Sequence, residues 1–158
     1  MAVEIERKFL VHVDQLPKLE KGVFLKQGYI PSSPGNVVRV RTAGDKAFLT
    51  IKGKTEGYSR LEYEYEIPLS DAEEMLDKLC LKPIISKVRY KIEFVGKIWE
   101  LDIFDLENKG LYLAEIELES EEESFEKPDW IGREVSHLKE YRNRFLADHP
   151  YNTWEQDY

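Results

Sequence analysis

Residues 36–53 read NVVRVRTAGDKAFLTIKG, and this stretch decides the fold. On either side of Gly44-Asp45 apolar and polar residues alternate with period two, the pattern of a half-buried strand and not of a helix. Working outward, the same alternation recurs near 3–12, 23–31, 58–68, 84–95, 97–105 and 112–119, which with 36–43 and 46–53 makes eight antiparallel strands. Turn residues separate them: Pro34-Gly35-Asn36, Gly44-Asp45, Lys54 to Gly57, Gly96 and Asn108-Lys109-Gly110. So many regular strands with few helices predict a barrel or a sandwich.

Two segments change period. Ser70-Asp71-Ala72-Glu73 fits the Ser-x-x-Glu cap of a helix, and Met75, Leu76 and Leu79 then share one face as far as Cys80. His137 to Ala147 carries Leu138, Tyr141 and Phe145 at helical spacing before Pro150, which predicts a second helix. The acidic stretch Glu119 to Glu126 reads as surface, and Tyr151 to Tyr158 as a packing tail anchored by Trp154. With no repeat and no linker, residues 1–158 are expected to form one domain.

Composition narrows the function. The 158 residues carry 23 Lys and Arg against 31 Asp and Glu, a net charge of −8, which disfavours general nucleic-acid binding. Hydrophobic residues at 42% and aromatics at 12% suit a folded domain. Cys80 is alone, and His12, His137 and His149 lack ligand spacing, so any metal is expected to be a hard, oxygen-bound ion. The start MAVEIERKF lacks a signal-peptide pattern, and no apolar run approaches a membrane span; the expectation is a cytoplasmic protein.

Alternation also sorts the charges by face. Glu4, Glu6 and Lys8 share one side of their strand, opposite Val3, Ile5, Phe9 and Val11. Arg39 and Arg41 lie opposite Val38 and Val40; Lys52 shares a side with Thr50 and Phe48. Glu62, Glu64 and Glu66 form a stripe, as do Lys87, Arg89 and Lys91, then Glu100 and Asp102, then Glu115, Glu117 and Glu119. Periodicity alone favours a solvated outer face, because buried charge is costly. The inverse arrangement, with the charges turned into a closed barrel, would converge them on one water-filled tunnel, at spacings that suit metal ions and a phosphate chain.

The order of these blocks resembles the CYTH, or triphosphate tunnel metalloenzyme, superfamily. Glu4-Ile5-Glu6-Arg7-Lys8-Phe9-Leu10 is similar to its N-terminal Glu-x-Glu-x-Lys signature. Val38-Arg39-Val40-Arg41, Thr50-Ile51-Lys52-Gly53, Arg60-Leu61-Glu62-Tyr63-Glu64, Lys87-Val88-Arg89-Tyr90, and Glu100-Leu101-Asp102-Ile103-Phe104 with Ala114-Glu115-Ile116-Glu117 follow in sequence. Tyr141-Arg142-Asn143 resembles the Tyr-x-Asn of the small bacterial members. The resemblance implies a mainly β fold, a closed eight-stranded antiparallel barrel with short flanking helices, whose lumen binds triphosphate and divalent metal.

On that resemblance Lys8, Arg39, Arg41, Lys52, Lys87 and Arg89 are the phosphate-binding candidates, with Lys139 as a capping base from the last helix. Glu4, Glu6, Asp102, Glu115 and Glu117 are the candidate ligands for Mg²⁺ or Mn²⁺, ions that take carboxylate and water oxygens. Glu62 and Glu64 either hold the bases or bind a second ion. Glu62, Glu64, Lys87 and Tyr29 are the candidates for orienting water or the leaving group, Tyr29 being equally suited to packing. The implied activity is metal-dependent hydrolysis of a small triphosphate, tripolyphosphate first. Adenylate cyclase, thiamine or nucleoside triphosphatase, and a polyphosphate- or nucleotide-binding module without turnover stay open. No nucleic acid or membrane partner is expected, and an outer apolar face leaves a homodimer open.

Overall fold

A computed structural model describes residues 3–154. The strands are β1 (Val3–Val11), β2 (Val23–Ile30), β3 (Val37–Ala43), β4 (Lys46–Lys52), β5 (Ser59–Ile67), β6 (Ile85–Phe94), β7 (Lys97–Phe104), β8 (Tyr112–Glu117) and β9 (Ile131–Glu134); the helices are α1 (Leu69–Lys78) and α2 (Asn143–Asp148). The first eight strands match the eight alternating runs. They pair antiparallel in the order β5-β4-β3-β2-β6-β7-β8-β1, and β1 closes the ring by pairing Val3, Glu4 and Ile5 with Leu61, Arg60 and Ser59 of β5. Eight strands give an interior wide enough for one small ligand. β9 is an outer strand that takes over the same edge of β1 beyond the closure, at Phe9 and Val11.

The charged stripes face inward because their apolar opposites are buried outside. Val40 and Ala47 lie beneath Ala72 and Leu76 of α1, which covers the outer face of β2, β3 and β4. Phe9, Trp99, Leu101, Ala114 and Ile116 pack under Phe125, Trp130 and Ile131, joined by Leu16 and Leu19. The outer face around Ile51, Leu61, Tyr63 and Tyr65 has no such cover among the described residues, with Tyr65 58% exposed.

Two expectations are corrected. α1 starts at Leu69, with Pro68 at its N-cap and no side-chain cap, because the fixed φ of proline begins the helix before Ser70 can cap it. The helix expected over 137–147 is a single turn at Lys139–Tyr141 followed by α2, broken at the extended residue Arg142. The break frees the Tyr141 carbonyl, which in a continuous helix would accept an N–H four residues on, to take the Lys8 ammonium at 3.1 Å instead. The acidic stretch is largely surface, but its Phe125 packs edge-on to Phe9 and Trp99, and Glu121 accepts the Tyr58 N–H at 2.6 Å. Glu121 sits so close to Gly57, at φ +62°, that a Cβ there would lie 2.4 Å from its carboxylate. With Tyr141, Tyr151 and Trp154, α2 packs on Tyr29, Ile85, Phe104 and Leu113, all on inward parity, and plugs one end of the barrel. The expected tail beyond Trp154 lies outside the described residues.

The β6–β7 hairpin turns on Val95 and Gly96, both at positive φ (48° and 73°). A β-branched residue is strained there, whereas Asn and Gly are at ease. Val95→Asn is therefore expected to stabilise the fold by about 1 kcal/mol, read as a rise of about 2–4 °C in a thermal melt.

Candidate active site

Ring order turns the stripes into two walls. β1 and β2 stand opposite each other, four steps apart either way round. Beside β2, β3 and β6 contribute Arg39, Arg41, Lys87 and Arg89; around β1, β5 and β8 contribute Glu62, Glu64, Glu115 and Glu117 to the Glu4 and Glu6 of β1 itself. Lys8 and Lys52 sit among the carboxylates. Together with Tyr29 these side chains line one cavity of about 580 Å³.

Pairing across the walls holds the bases in place. Arg39 contacts Glu64 at 3.4 Å, and the Thr50 hydroxyl donates to the same carboxylate at 2.8 Å. This follows from register, since Arg39, Thr50 and Glu64 lie abreast on β3, β4 and β5. Lys52 donates to Glu4 at 3.0 Å and lies 3.9 Å from Glu62. Lys8 pairs with Glu115 at 3.5 Å. Arg39 has one buried Nε–H without an acceptor among the described residues, a donor on the basic wall suited to an anion oxygen.

Two of the expected residues do not line the cavity. Asp102, 1% exposed, lies behind it with both oxygens engaged: Arg89 grips it in a fork at 2.7 and 2.8 Å, and Lys87 meets it at 2.6 Å. Its two basic neighbours make it their counter-ion. Lys139 is exposed on the turn before α2, and Arg142 and Arg144 from the same segment reach the cavity instead. Tyr29 lies in the plug, its hydroxyl accepting from Gln27 at 3.1 Å. Sequence reading missed Arg60, which lines the lumen and donates to the Gly53 carbonyl, although its parity with Glu62 gave it away. It also missed Gln27, a neutral residue that a search for charge passes over, and gave the Asn143 of the Tyr-x-Asn match no role.

The electrostatics divide the carboxylates into unequal partners. Burial, then Glu115 and Glu4, push Glu6 well above the ordinary carboxylate range. Burial would raise Glu115 too, but Lys8, Arg89 and Lys87 outweigh it and hold Glu115 well below that range, and Glu6 hydrogen-bonds to it. Glu4 is raised by burial and by its hydrogen bond to Glu62, against the pull of Lys52. Carboxyl pairs forced to share a proton suit a divalent cation, whose charge replaces that proton. Among the described residues no three carboxylates are grouped closely enough to hold an ion by themselves. Paired carboxylates completed by phosphate oxygens and water are the manner in which Mg²⁺ is commonly bound.

On the basic wall, burial, Arg39 and Arg89 lower Arg41 to about 9. Burial lowers Lys87 to about 7, helped by Arg89 and Arg41 and opposed by Asp102. Burial opposes ionisation of Asp102 itself, but Lys87 and Arg89 prevail and hold it at about 2.

The sequence profile of the CYTH domain matches residues 2–145, every strand of the barrel included. The chain belongs to the CYTH family. Within this family the chain is 51% identical, over 99% of its own length and all of the relative's, to an inorganic triphosphatase of Acetivibrio thermocellus. An inorganic triphosphatase of Nitrosomonas europaea is 37% identical, over 91% of this chain and 96% of the relative. The solved structure of an inorganic triphosphatase superposes with a TM-score of 0.67 at 36% identity, covering 93% of this chain and 95% of that one. CYTH triphosphatases are metal-dependent. No helix among the described residues is long and apolar enough to cross a membrane.

Proposed function

We propose that this CYTH chain is an inorganic triphosphatase that hydrolyses tripolyphosphate to pyrophosphate and phosphate. The observation that carries the reading is the two-walled lumen, bases from β3 and β6 facing carboxylates from β1, β5 and β8. The relatives named above support it along their whole length.

Glu4, Glu6, Glu115 and Glu117 would hold Mg²⁺ or Mn²⁺. An ion held there would supply charge neutralisation and a more acidic water. The protein's own groups do the rest. Arg39, Arg41, Lys8, Lys52 and Arg89 hold the phosphate chain in line, the guanidiniums by paired N–H donors. Glu62 and Glu64 act through the bases they hold. When water attacks the terminal phosphorus and the bridging P–O bond breaks, the departing pyrophosphate oxygen gains charge. Lys87, with a proton bound at about pH 7, is the group suited to neutralise it or to hand it that proton. Buried, unpaired Cys80 suits a reducing compartment, and we place the enzyme in the cytoplasm.

Substrate size follows from the walls and the plug. Tyr58, an aromatic ring on the cavity lining, packs at a tilt against His137, ring centroids 4.6 Å apart, and lies under Arg7. Tyr29 is part of the plug and Trp99 faces the outer core. A nucleoside would add bulk without a partner, so ATP should lose in transition-state positioning. With Mg²⁺ or Mn²⁺, kcat/KM for tripolyphosphate is expected to exceed that for ATP and thiamine triphosphate by about tenfold or more, a difference of about 1.4 kcal/mol. Higher kcat/KM for ATP, with cyclic AMP as product, would make the enzyme a cyclase.

A further inference from the structure

We propose that Gln27 is a positioning residue that presents Arg41 to the phosphate chain as a cation without a counter-charge; this deepens, and rests on, the triphosphatase reading. β2 stands at the centre of the basic wall, yet its inward polar residues Gln27 and Tyr29 carry no charge. Gln27 is fully buried, and all its side-chain polar atoms are engaged. Its Oε1 accepts the Arg41 Nε–H at 2.9 Å, while its Nε2 donates to Asn143 Oδ1 at 2.9 Å and to the Tyr29 hydroxyl at 3.1 Å. Asn143 Oδ1 also accepts from Lys87 at 2.8 Å. The chain from Arg41 through Gln27 and Asn143 to Lys87 thus ties three strands of the wall, β3, β2 and β6, to the plug. A buried amide with every donor and acceptor satisfied has one orientation, and so does what it holds.

The other bases of this wall each face a carboxylate: Arg39 faces Glu64, and Lys87 and Arg89 face Asp102. Arg41 forms no ion pair among the described residues. Gln27, its register partner on β2, takes its Nε–H and leaves both terminal nitrogens of the guanidinium for the lumen. A carboxylate at position 27 would fix the same plane but cancel the charge. A neutral acceptor fixes the plane and leaves the charge for phosphate, which a bidentate guanidinium binds best.

The test is a double-mutant cycle read by calorimetric binding of tripolyphosphate to chelator-treated protein, with steady-state kinetics in Mg²⁺ beside it. Gln27→Met should weaken binding about tenfold and raise KM in proportion, with kcat changed less than about threefold, the signature of lost uniform binding. In an Arg41→Ala background the same substitution should add less than about twofold. Gln27→Glu, of the same shape and still able to accept from Arg41, should weaken binding at least as much as Gln27→Met. Equal losses in both backgrounds, or Gln27→Glu binding like the parent, would overturn the proposal, and the second comparison decides if Gln27→Met does not fold. Tripolyphosphate that binds but is not turned over by the parent protein would overturn the triphosphatase reading while leaving the binding cycle intact. A parent that does not bind it at all would overturn both.

Discussion

Glu6→Gln is expected to reduce tripolyphosphate hydrolysis about a thousandfold and, in metal-free protein, to raise the melting temperature. The two effects share one cause. Glu6 lies inside a cluster of carboxylates, and burial, Glu115 and Glu4 together hold its pKa well above the ordinary range. Keeping it ionised at neutral pH costs the fold free energy, which a bound divalent ion offsets. Glutamine keeps the shape and removes both the cost and the ligand. A ligand worth several kcal/mol of transition-state charge stabilisation corresponds to about three powers of ten in rate. The pH dependence gives a sharper check. A carboxyl whose folded pKa is raised contributes stability that is full below the ordinary carboxylate range and is lost as pH rises through the folded value. The melting difference between variant and parent should therefore be small near pH 4 and grow toward pH 8. Mg²⁺ should raise the melting temperature of the parent more than that of the variant. An active variant, or a melting difference independent of pH, would remove Glu6 from the ligand set.

That cluster was half legible in the sequence. Parity put Glu4, Glu6 and Lys8 on one face, and the tight turns fixed parity strand by strand. Which face is the interior was not legible, because alternation is symmetric between its two sides. The answer lies in what covers the apolar side: Ala72 and Leu76 over Val40 and Ala47, and Phe125 and Trp130 over Phe9 and Trp99. The resemblance to a known family supplied that choice in advance. Neighbour order in the ring was likewise beyond periodicity, and it is ring order that sets β1 against β2 and separates acid from base.

Failures of the reading cluster in the C-terminal segment, for a common reason. Leu138, Tyr141 and Phe145 have helical spacing, but the Tyr141 carbonyl and the Asn143 amide are claimed by Lys8 and Lys87, and those bonds to buried ammonium groups outweigh one further helical turn. β9 escaped notice because Ile131–Glu134 is too short to alternate and contains Gly132; only the free edge of β1 makes it a strand. That Asp102 would lie behind the cavity was not legible, because parity reports the side of a strand and not the depth behind its neighbours. Lys87 and Arg89 are longer, and they reach past Asp102 to the lumen while resting on its oxygens.

Lys87 carries the other large effect. Lys87→Met is expected to lower kcat/KM for tripolyphosphate by about a hundredfold or more, in the range seen when a general acid is lost. It should also abolish a pH dependence of binding that the parent shows. In the ligand-free tunnel the Lys87 ammonium is 1% exposed and lies near two guanidiniums, and it titrates at about 7 instead of 10.5. A triphosphate brings several negative charges to the same wall and must raise that value. Binding at pH 8 should therefore take up a proton at Lys87, and affinity should fall as pH rises from 7 to 9. Calorimetry in two buffers of different ionisation enthalpy reads the uptake directly. Protonation of tripolyphosphate itself is common to parent and variant and cancels in their difference. Stability carries the opposite sign from Glu6. A base whose folded pKa is depressed contributes stability that is full above its unfolded value and is lost as pH falls through the folded one, here from about 10.5 toward about 7. Ligand-free Lys87→Met should thus gain on the parent as pH falls from 10 to 7, even though Asp102 loses one of its two cations. Equal proton uptake in parent and variant would show that Lys87 stays charged throughout, which leaves it a binding cation with no proton to give.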